Sequence, residues 1–344
     1  MNMETASLKS VMVHRVGSKN NLEPLGISQK PLQLSTELLE ILQESFLLKF
    51  RNNPEQYAFT HTTSLEYNEV YSFCKQLFTD AGQLQNVSAD IARHLYEAST
   101  HPKVKGGELY VAYFEGLPLE SRMYKAVGLF KTENKSMFFD VQQQANEFEL
   151  RIQEGTELTK IDKGCLILNK DEETGYEVMI FDNQNRGEEA QYWKEKFLAV
   201  TPQKNEYHHT NHFLTLTKQF ITQQLDTDVD KTEQVKLLNR SIDYFKGNEA
   251  FDIDDFQNEV FESTEIIGAF REFGSRYTQA NDFDIASSFD ISVDAVKKQT
   301  KIFKSVLKLD KNFHIYIHGR TDLIEKGVDT DGRKFYKIYY QDES

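Results

Sequence analysis

The sequence predicts an α+β protein with a largely antiparallel sheet and helices in its first part and a mainly helical second part. Four segments between residues 108 and 182 have the apolar, β-branched pattern of strands. Five later segments carry apolar residues at helical spacing. Because the pattern changes near residues 200–202, we predict two domains, 1–200 and 201–344.

The first predicted domain begins with a strand at residues 11–16 and a helix that Ser35 or Thr36 can cap. Two further helices are predicted at residues 65–78 and 88–99. The strand patterns lie at residues 108–114, 123–131, 164–169 and 176–182. The polar loop between the last two contains Gly175, so we expect these strands to form a hairpin.

The second predicted domain contains helices and a terminal β-hairpin. The helices are predicted at residues 210–225, 230–246, 253–261, 264–277 and 293–309. Apolar and polar residues alternate in 313–318, which indicates a strand with one buried face. We expect this strand to pair with residues 334–340, which follow an Asp331-Gly332 turn.

The composition is that of an ordered protein with an acidic surface. The 344 residues include 54 acidic and 40 basic side chains, for a formal charge of −14, together with 25 Phe and 16 Tyr. A negative total argues against a protein that coats nucleic acid or membrane with its whole surface. No apolar run suggests a signal or spanning helix, and Cys74 and Cys165 lack metal-site spacing, so we expect a reducing cytoplasm, no membrane contact and no metal.

The charges are unevenly distributed along the second domain. Residues 249–290 have a net charge of −9, whereas residues 295–320 have a net charge of +6. If residues 293–309 form one helix, four lysines fall on one of its faces, at i, i+4, i+7 and i+11. The predicted contact residues are this stripe and three neighbouring cations: Lys297, Lys301, Lys304 and Lys308, then Lys298, Lys311 and Arg320.

Such a stripe has two interpretations. It can follow a phosphate backbone, giving affinity without sequence readout. It can also be a solvated helix face that neutralises the adjacent acidic segment. The sequence leaves both open.

Three other patterns suggest chemistry more weakly. His208 and His212 are four residues apart, as in helical metal sites, but also lie at a predicted helix start. Glu133 and Lys135 at a strand end resemble part of a metal-dependent nuclease site, and equally fit a polar turn. Residues 285–296 loosely match a helix-turn-helix, although Gln299 occupies an expected core position and residues 282–286 could equally be extended.

Several segments together resemble the bacterial nucleoid-associated protein family (NdpA-like). They are 309–319 (LDKNFHIYIHG), 323–327 (LIEKG), 14–17 (HRVG), 126–131 (AVGLFK), 161–169 (IDKGCLILN), 192–193 (YW) and 197–198 (FL). The resemblance covers nearly the whole chain and includes no catalytic motif.

The resemblance implies a cytoplasmic, nucleoid-located protein that binds double-stranded DNA with little sequence preference. Because the sequence contains no complete catalytic site or cofactor motif, we expect this protein to be non-enzymatic and without a cofactor. It also makes a type II topoisomerase or another DNA-processing protein a plausible partner, and leaves homo-oligomerisation open. The alternatives are an adaptor that reaches the nucleoid through such a partner and, more remotely, a metal-dependent nuclease.

Overall fold

The chain divides into two compact units, Met1–Gln203 (unit 1) and Lys204–Ser344 (unit 2). The structure is a computed structural model. It describes residues 5–51, 55–119, 121–145, 147–157, 159–183, 192–225, 231–281, 284–303, 305–309, 311–317 and 323–342, with the backbone alone at 280–281 and 305–308.

Unit 1 is built on an eight-stranded antiparallel sheet in the order β10-β3-β9-β8-β5-β4-β1-β2. The strands of this sheet are β1 (Ser7–Val16), β2 (Leu25–Gly26), β3 (Gln56–Phe59), β4 (Gly107–Leu119), β5 (Arg122–Thr132), β8 (Lys163–Leu168), β9 (Glu177–Asp182) and β10 (Val200–Pro202). The predicted strands at 11–16, 108–114, 123–131, 164–169 and 176–182 are all confirmed. β8 and β9 form the expected hairpin.

Helices cover both faces of this sheet. α1 (Thr36–Leu47) begins at Ser35, whose side chain accepts a hydrogen bond from a first-turn backbone N–H as predicted. It packs Phe46 on one face of the sheet, while α2 (Glu69–Thr79) and α3 (Leu84–Ala98) pack on the other. Because both faces are covered, every residue of β8 is buried. A π-helical segment, Tyr192–Leu198, adds the buried Trp193 to the core beneath α2 and α3.

A long hairpin that we did not predict separates β5 from β8. β6 (Ser136–Gln144) and β7 (Glu147–Gly155), which we call the arm, pair with each other over nine residue pairs. Neither β6 nor β7 pairs with a third strand among the described residues. The arm therefore lies outside the eight-stranded sheet.

Unit 2 has an aromatic helical core. Phe213, Phe220, Phe256 and Phe270 are buried in it, and the Phe213 and Phe256 rings meet edge to face with centroids 5.0 Å apart. The helices that supply and surround this core are α4 (Glu206–Gln219), α5 (Lys231–Gly247), α6 (Ile253–Phe261), α7 (Thr264–Asn281) and α8 (Val293–Ile302). A π-helical segment, Phe220–Gln224, continues α4. No helix among the described residues is both long and apolar enough to cross a membrane.

The described residues of unit 2 also form three small antiparallel sheets, and one prediction about them is wrong. The strands are β11 (Ala250–Asp252), β12 (Ser288–Asp290), β13 (Ser305–Leu309), β14 (Phe313–Ile317), β15 (Ile324–Val328) and β16 (Lys334–Ile338). The predicted strand at 313–318 is confirmed as β14, but it pairs with β13 and not with residues 334–340. The latter pair with β15 through the predicted turn, where Gly332 has φ +80°. In both cases the partner nearest in the chain closes the shorter loop.

Candidate nucleic-acid interface

The first part of the predicted lysine segment forms α8, a helix with defined ends. The Ser292 side chain accepts a hydrogen bond from the backbone N–H of Ala295 at 3.4 Å and so caps its start. Ala295 and Val296 are buried. At the other end, the Lys218 ammonium donates to the Ile302 carbonyl at 3.0 Å, which satisfies one of the acceptors that a helix end leaves unpaired. Partial burial lowers the pKa of Lys218.

The outer face of α8 presents three exposed lysines. Lys297 lies 3.7 Å from the Asp294 carboxylate, and both side chains are largely solvent-exposed. Lys298 donates to the Tyr207 hydroxyl at 2.9 Å, which directs it along α4. Lys301 is exposed one turn after Lys297. One acidic side chain therefore accompanies three basic ones on this face.

The prediction of a single helix through residue 309 is wrong. α8 ends at Ile302, Phe303 is buried, and residues 305–309 form β13. Cross-strand pairing with β14 replaces helical spacing, so Lys308 lies on a strand and not on the helix face. The four lysines therefore do not form a stripe on one helix.

The other predicted contact residues are differently placed. Lys311 is exposed in the connection between β13 and β14. The backbone of Lys308 is described on β13, whereas Lys304 and Arg320 lie outside the described residues. The structure thus brings Lys297, Lys298 and Lys301 together on one surface.

The helix-turn-helix interpretation of residues 285–296 is wrong, and the extended alternative fits residues 284–286. Residues 284–287 are not helical, and β12 at Ser288–Asp290 pairs with β11. A helix-turn-helix would need a first helix and a tight turn at these positions. Instead, they form a strand that pairs with β11, which lies between α5 and α6.

Gln299 is buried although its side chain is polar. Its amide nitrogen donates to the Asn211 side-chain oxygen at 2.8 Å and to the Thr215 hydroxyl at 3.1 Å. These hydrogen bonds to α4 compensate the amide for lost water. They hold α8 against α4 with its lysines facing outward.

Glu133 and Lys135, the suggested nuclease pair, have separate partners. The Glu133 carboxylate accepts from Lys131 at 3.0 Å and from the Tyr192 hydroxyl at 3.1 Å, and it is nearly buried. Lys135 lies 3.3 Å from the Glu108 carboxylate. Glu133 therefore serves a buried ion pair.

Sequence reasoning missed this buried polar network at the end of β5 and the start of β8. Lys131 and Lys163 are directly opposed in the sheet and fully buried, and Lys163 donates to both Asp182 oxygens at 2.9 and 3.0 Å. Burial lowers the pKa of Lys131, while the Glu133 charge opposes that shift. Lysines within otherwise apolar strands were the available sequence signal.

The histidine pattern places two rings close together. The ring centroids of His208 and His212 are 4.2 Å apart on α4. Within the part of the chain that the structure describes, no group of three or more His, Cys, Asp or Glu side chains is arranged to hold a metal ion.

One comparison with known proteins identifies the family. A family model described as nucleoid-associated protein YejK matches residues 12–332, which is nearly the whole chain. The chain belongs to this family. Membership confirms the resemblance found in the sequence and makes the chain a DNA-binding, nucleoid-associated protein of the bacterial cytoplasm. No curated protein sequence matches the chain.

Proposed function

We propose that this chain is a non-enzymatic protein that binds double-stranded DNA with little sequence preference through the lysines of α8 and the segment after it. The family match over residues 12–332 is the observation that carries the proposal. Lys297, Lys298 and Lys301 supply exposed ammonium groups, which attract phosphates without reading bases. In the proposal, Lys311 extends this surface, and Lys304, Lys308 and Arg320 contribute further positive charge.

The charge distribution indicates how strong this binding is. Residues 295–320 carry +6 within a chain of −14, so long-range repulsion opposes local attraction. Each neutralised phosphate adds about 0.9 to the slope of log affinity against log salt. We therefore expect weak, strongly salt-dependent binding confined to this surface.

The test is a charge reversal of the three α8 lysines, Lys297→Glu, Lys298→Glu and Lys301→Glu. The matched control reverses the exposed Lys204 and Lys246 and the partly exposed Lys236, which are lysines of unit 2 outside α8. Duplex-DNA binding is measured by fluorescence anisotropy over a salt series. We expect the α8 variant to lose at least about tenfold in affinity, with a slope shallower by about 2 to 3. The control has the same net charge and should lose less.

Two results would contradict the proposal. Equal losses in the two triple variants would indicate that net charge alone controls binding. Binding that differs strongly between unrelated duplex sequences of equal length would indicate base readout. Plasmid DNA incubated with the protein and Mg²⁺ or Mn²⁺ should remain intact, and cleavage would contradict the non-enzymatic assignment.

The adaptor hypothesis is the second candidate, and the exposed acidic side chains of residues 249–290 favour it. Asp254 is 72% exposed and Glu262 is 69% exposed, although each pairs with an arginine. Such a surface suits a basic region of a protein partner such as a type II topoisomerase. Failure of the purified chain to bind duplex DNA at low salt, together with direct binding to a purified topoisomerase, would favour the adaptor.

A further inference from the structure

The arm has one apolar and one polar face. Because directly opposed residues of a hairpin share a face, the register Phe139↔Ile152 and Val141↔Leu150 sorts its side chains into two sets. The apolar face consists of Met137, Phe139, Val141, Phe148, Leu150 and Ile152, with Gln143 and Glu154 at its two ends. The opposite face carries Asp140, Gln142, Gln144, Glu147, Glu149, Arg151 and Gln153, with Phe138 as its one large apolar residue.

The apolar face is uncovered. Its six apolar residues are between 58% and 78% exposed. On the opposite face, the polar side chains bond to one another: Gln153 donates to Asp140 at 2.8 Å, and Arg151 to Glu149 at 2.8 Å. A two-stranded hairpin with one face in water is only marginally stable by itself. A contiguous exposed apolar surface of this kind marks an interaction site.

We propose that the apolar face of the arm binds the same face of a second copy of this chain. Six apolar side chains exposed to this degree present on the order of 700 Å² per copy, close to the roughly 800 Å² that each partner contributes to a standard interface. The two arms then form a two-layer sandwich about 10 Å thick. The two central rows of this face are Phe139 with Ile152 and Val141 with Leu150. Both rows are apolar on both strands, so under two-fold symmetry the central rows of one copy face apolar rows of the other.

The position of Glu154 selects the orientation of the two arms. Of the eight residues on this face, Glu154 alone is ionisable, and it lies at the base of the arm opposite Met137. If the arms run in the same direction, two Glu154 carboxylates meet in one row. If they run in opposite directions, the carboxylates are separated by the length from residue 137 to residue 143, about 20 Å. Antiparallel arms therefore avoid like-charge repulsion.

The charge of the arm disfavours two other occupants. Its described charged residues are Asp140, Glu147, Glu149, Glu154 and Arg151, a net charge of −3. Phosphates of nucleic acid or of an anionic membrane would be repelled by this set. A second copy meets the arm through its uncharged centre, with the acidic face turned away to solvent.

The experiment compares two double variants of the full-length chain, each with two lysines on one face of the arm. Leu150→Lys with Ile152→Lys charges the apolar face, while Gln142→Lys with Gln153→Lys adds the same charge to the polar face. Mass is measured by sedimentation equilibrium without DNA, over a wide range of protein concentrations. We expect a reversible dimer for the original chain and the polar-face variant, and a dissociation constant at least about 100-fold higher for the apolar-face variant.

The proposal would be overturned if the original chain stayed monomeric throughout the concentration range, or if the two double variants associated equally. It would also be overturned if the original chain and the polar-face variant floated with phosphatidylcholine vesicles and the apolar-face variant did not. Because no DNA is present, the outcome is independent of the DNA-binding proposal. Trp193 fluorescence checks that unit 1 is folded in each variant, since this single tryptophan is buried in the unit's core.

Discussion

At the scale of single residues, burial rather than sequence pattern decides which charged side chains have a structural role. Lys131 and Lys163 occupy buried positions in strands that were correctly predicted. Period-two alternation could not show that these lysines point inward, because Lys163 meets its carboxylate partner, Asp182, only through the pairing of β8 with β9. Removing one partner from a buried ion pair leaves an uncompensated charge, so the buried contact between Glu133 and Lys131 gives Glu133 a structural role.

His14 makes the stability of unit 1 dependent on pH. It is 1% exposed on β1, and its Nδ1 accepts a hydrogen bond from the Ser28 backbone N–H at 3.2 Å. Burial, with a smaller contribution from the positive charge of Arg93, lowers the pKa of His14 to about 4 from 6.5. The unfolded chain therefore takes up a proton at higher pH than the folded chain does.

The expected result is a loss of stability as pH falls from 6.5 to about 4, with no further loss from this group below that range. The contribution of His14 is on the order of 2 to 3 kcal/mol. Urea unfolding followed by Trp193 fluorescence measures it, with His14→Gln as the comparison because glutamine keeps an acceptor without titrating. The variant should lose less stability over this range, and a parallel loss in the two proteins would contradict the assignment.

At the scale of elements, the sequence predicts existence and type better than ends and partners. The helix at 253–261 was predicted to the residue, whereas α8 ends seven residues before its predicted end. Helical spacing continues past Phe303, but the pairing of β13 with β14 is a tertiary contact that local periodicity does not contain. The same limit applies to the lysine site, since three lysines share α8 and Lys308 does not.

The arm was missed although its signal was present. In residues 137–142, apolar side chains at 137, 139 and 141 alternate with Phe138, Asp140 and Gln142, two of which are polar. Leu150 and Ile152 repeat the alternation after a short turn. The two strands have nine residues each, a length within the usual range for strands in globular proteins. Sequence alone could not show that their apolar face lies outside the cores of the chain.

The antiparallel orientation of two arms is open to a cross-linking test. A two-fold axis perpendicular to the strands places β6 on β6 of the second copy, with Met137 of one chain over Gln143 of the other. The Met137→Cys, Gln143→Cys double variant should therefore form dimers with a short bismaleimide reagent. The native Cys74 and Cys165 are buried and should not react.

The single Gln143→Cys variant is the control for orientation. In antiparallel arms the two substituted positions are at opposite ends of the interface, so this variant should remain uncross-linked. In parallel arms they would share one row at the tip. Efficient dimer formation by the single variant would therefore contradict the antiparallel arrangement while leaving self-association intact.

At the scale of the whole molecule, an acidic protein can hold DNA through a small basic surface if that surface is presented more than once. One copy offers +6 over residues 295–320 against a total of −14. A dimer offers two such surfaces on one particle, so the second contact with a long duplex becomes intramolecular. Self-association through the arm would then raise affinity without any new contact to DNA.

The two double-lysine arm variants test this coupling, because they differ in the face substituted and not in net charge. On a duplex long enough for two copies, the apolar-face variant should bind at least about tenfold more weakly and with a shallower salt dependence than the polar-face variant. On a duplex that accommodates one copy, the two variants should bind alike, since avidity is then absent. Equal binding on both duplexes would show that dimerisation and DNA contact are independent, whereas a difference that persists on the short duplex would place the arm itself in contact with DNA.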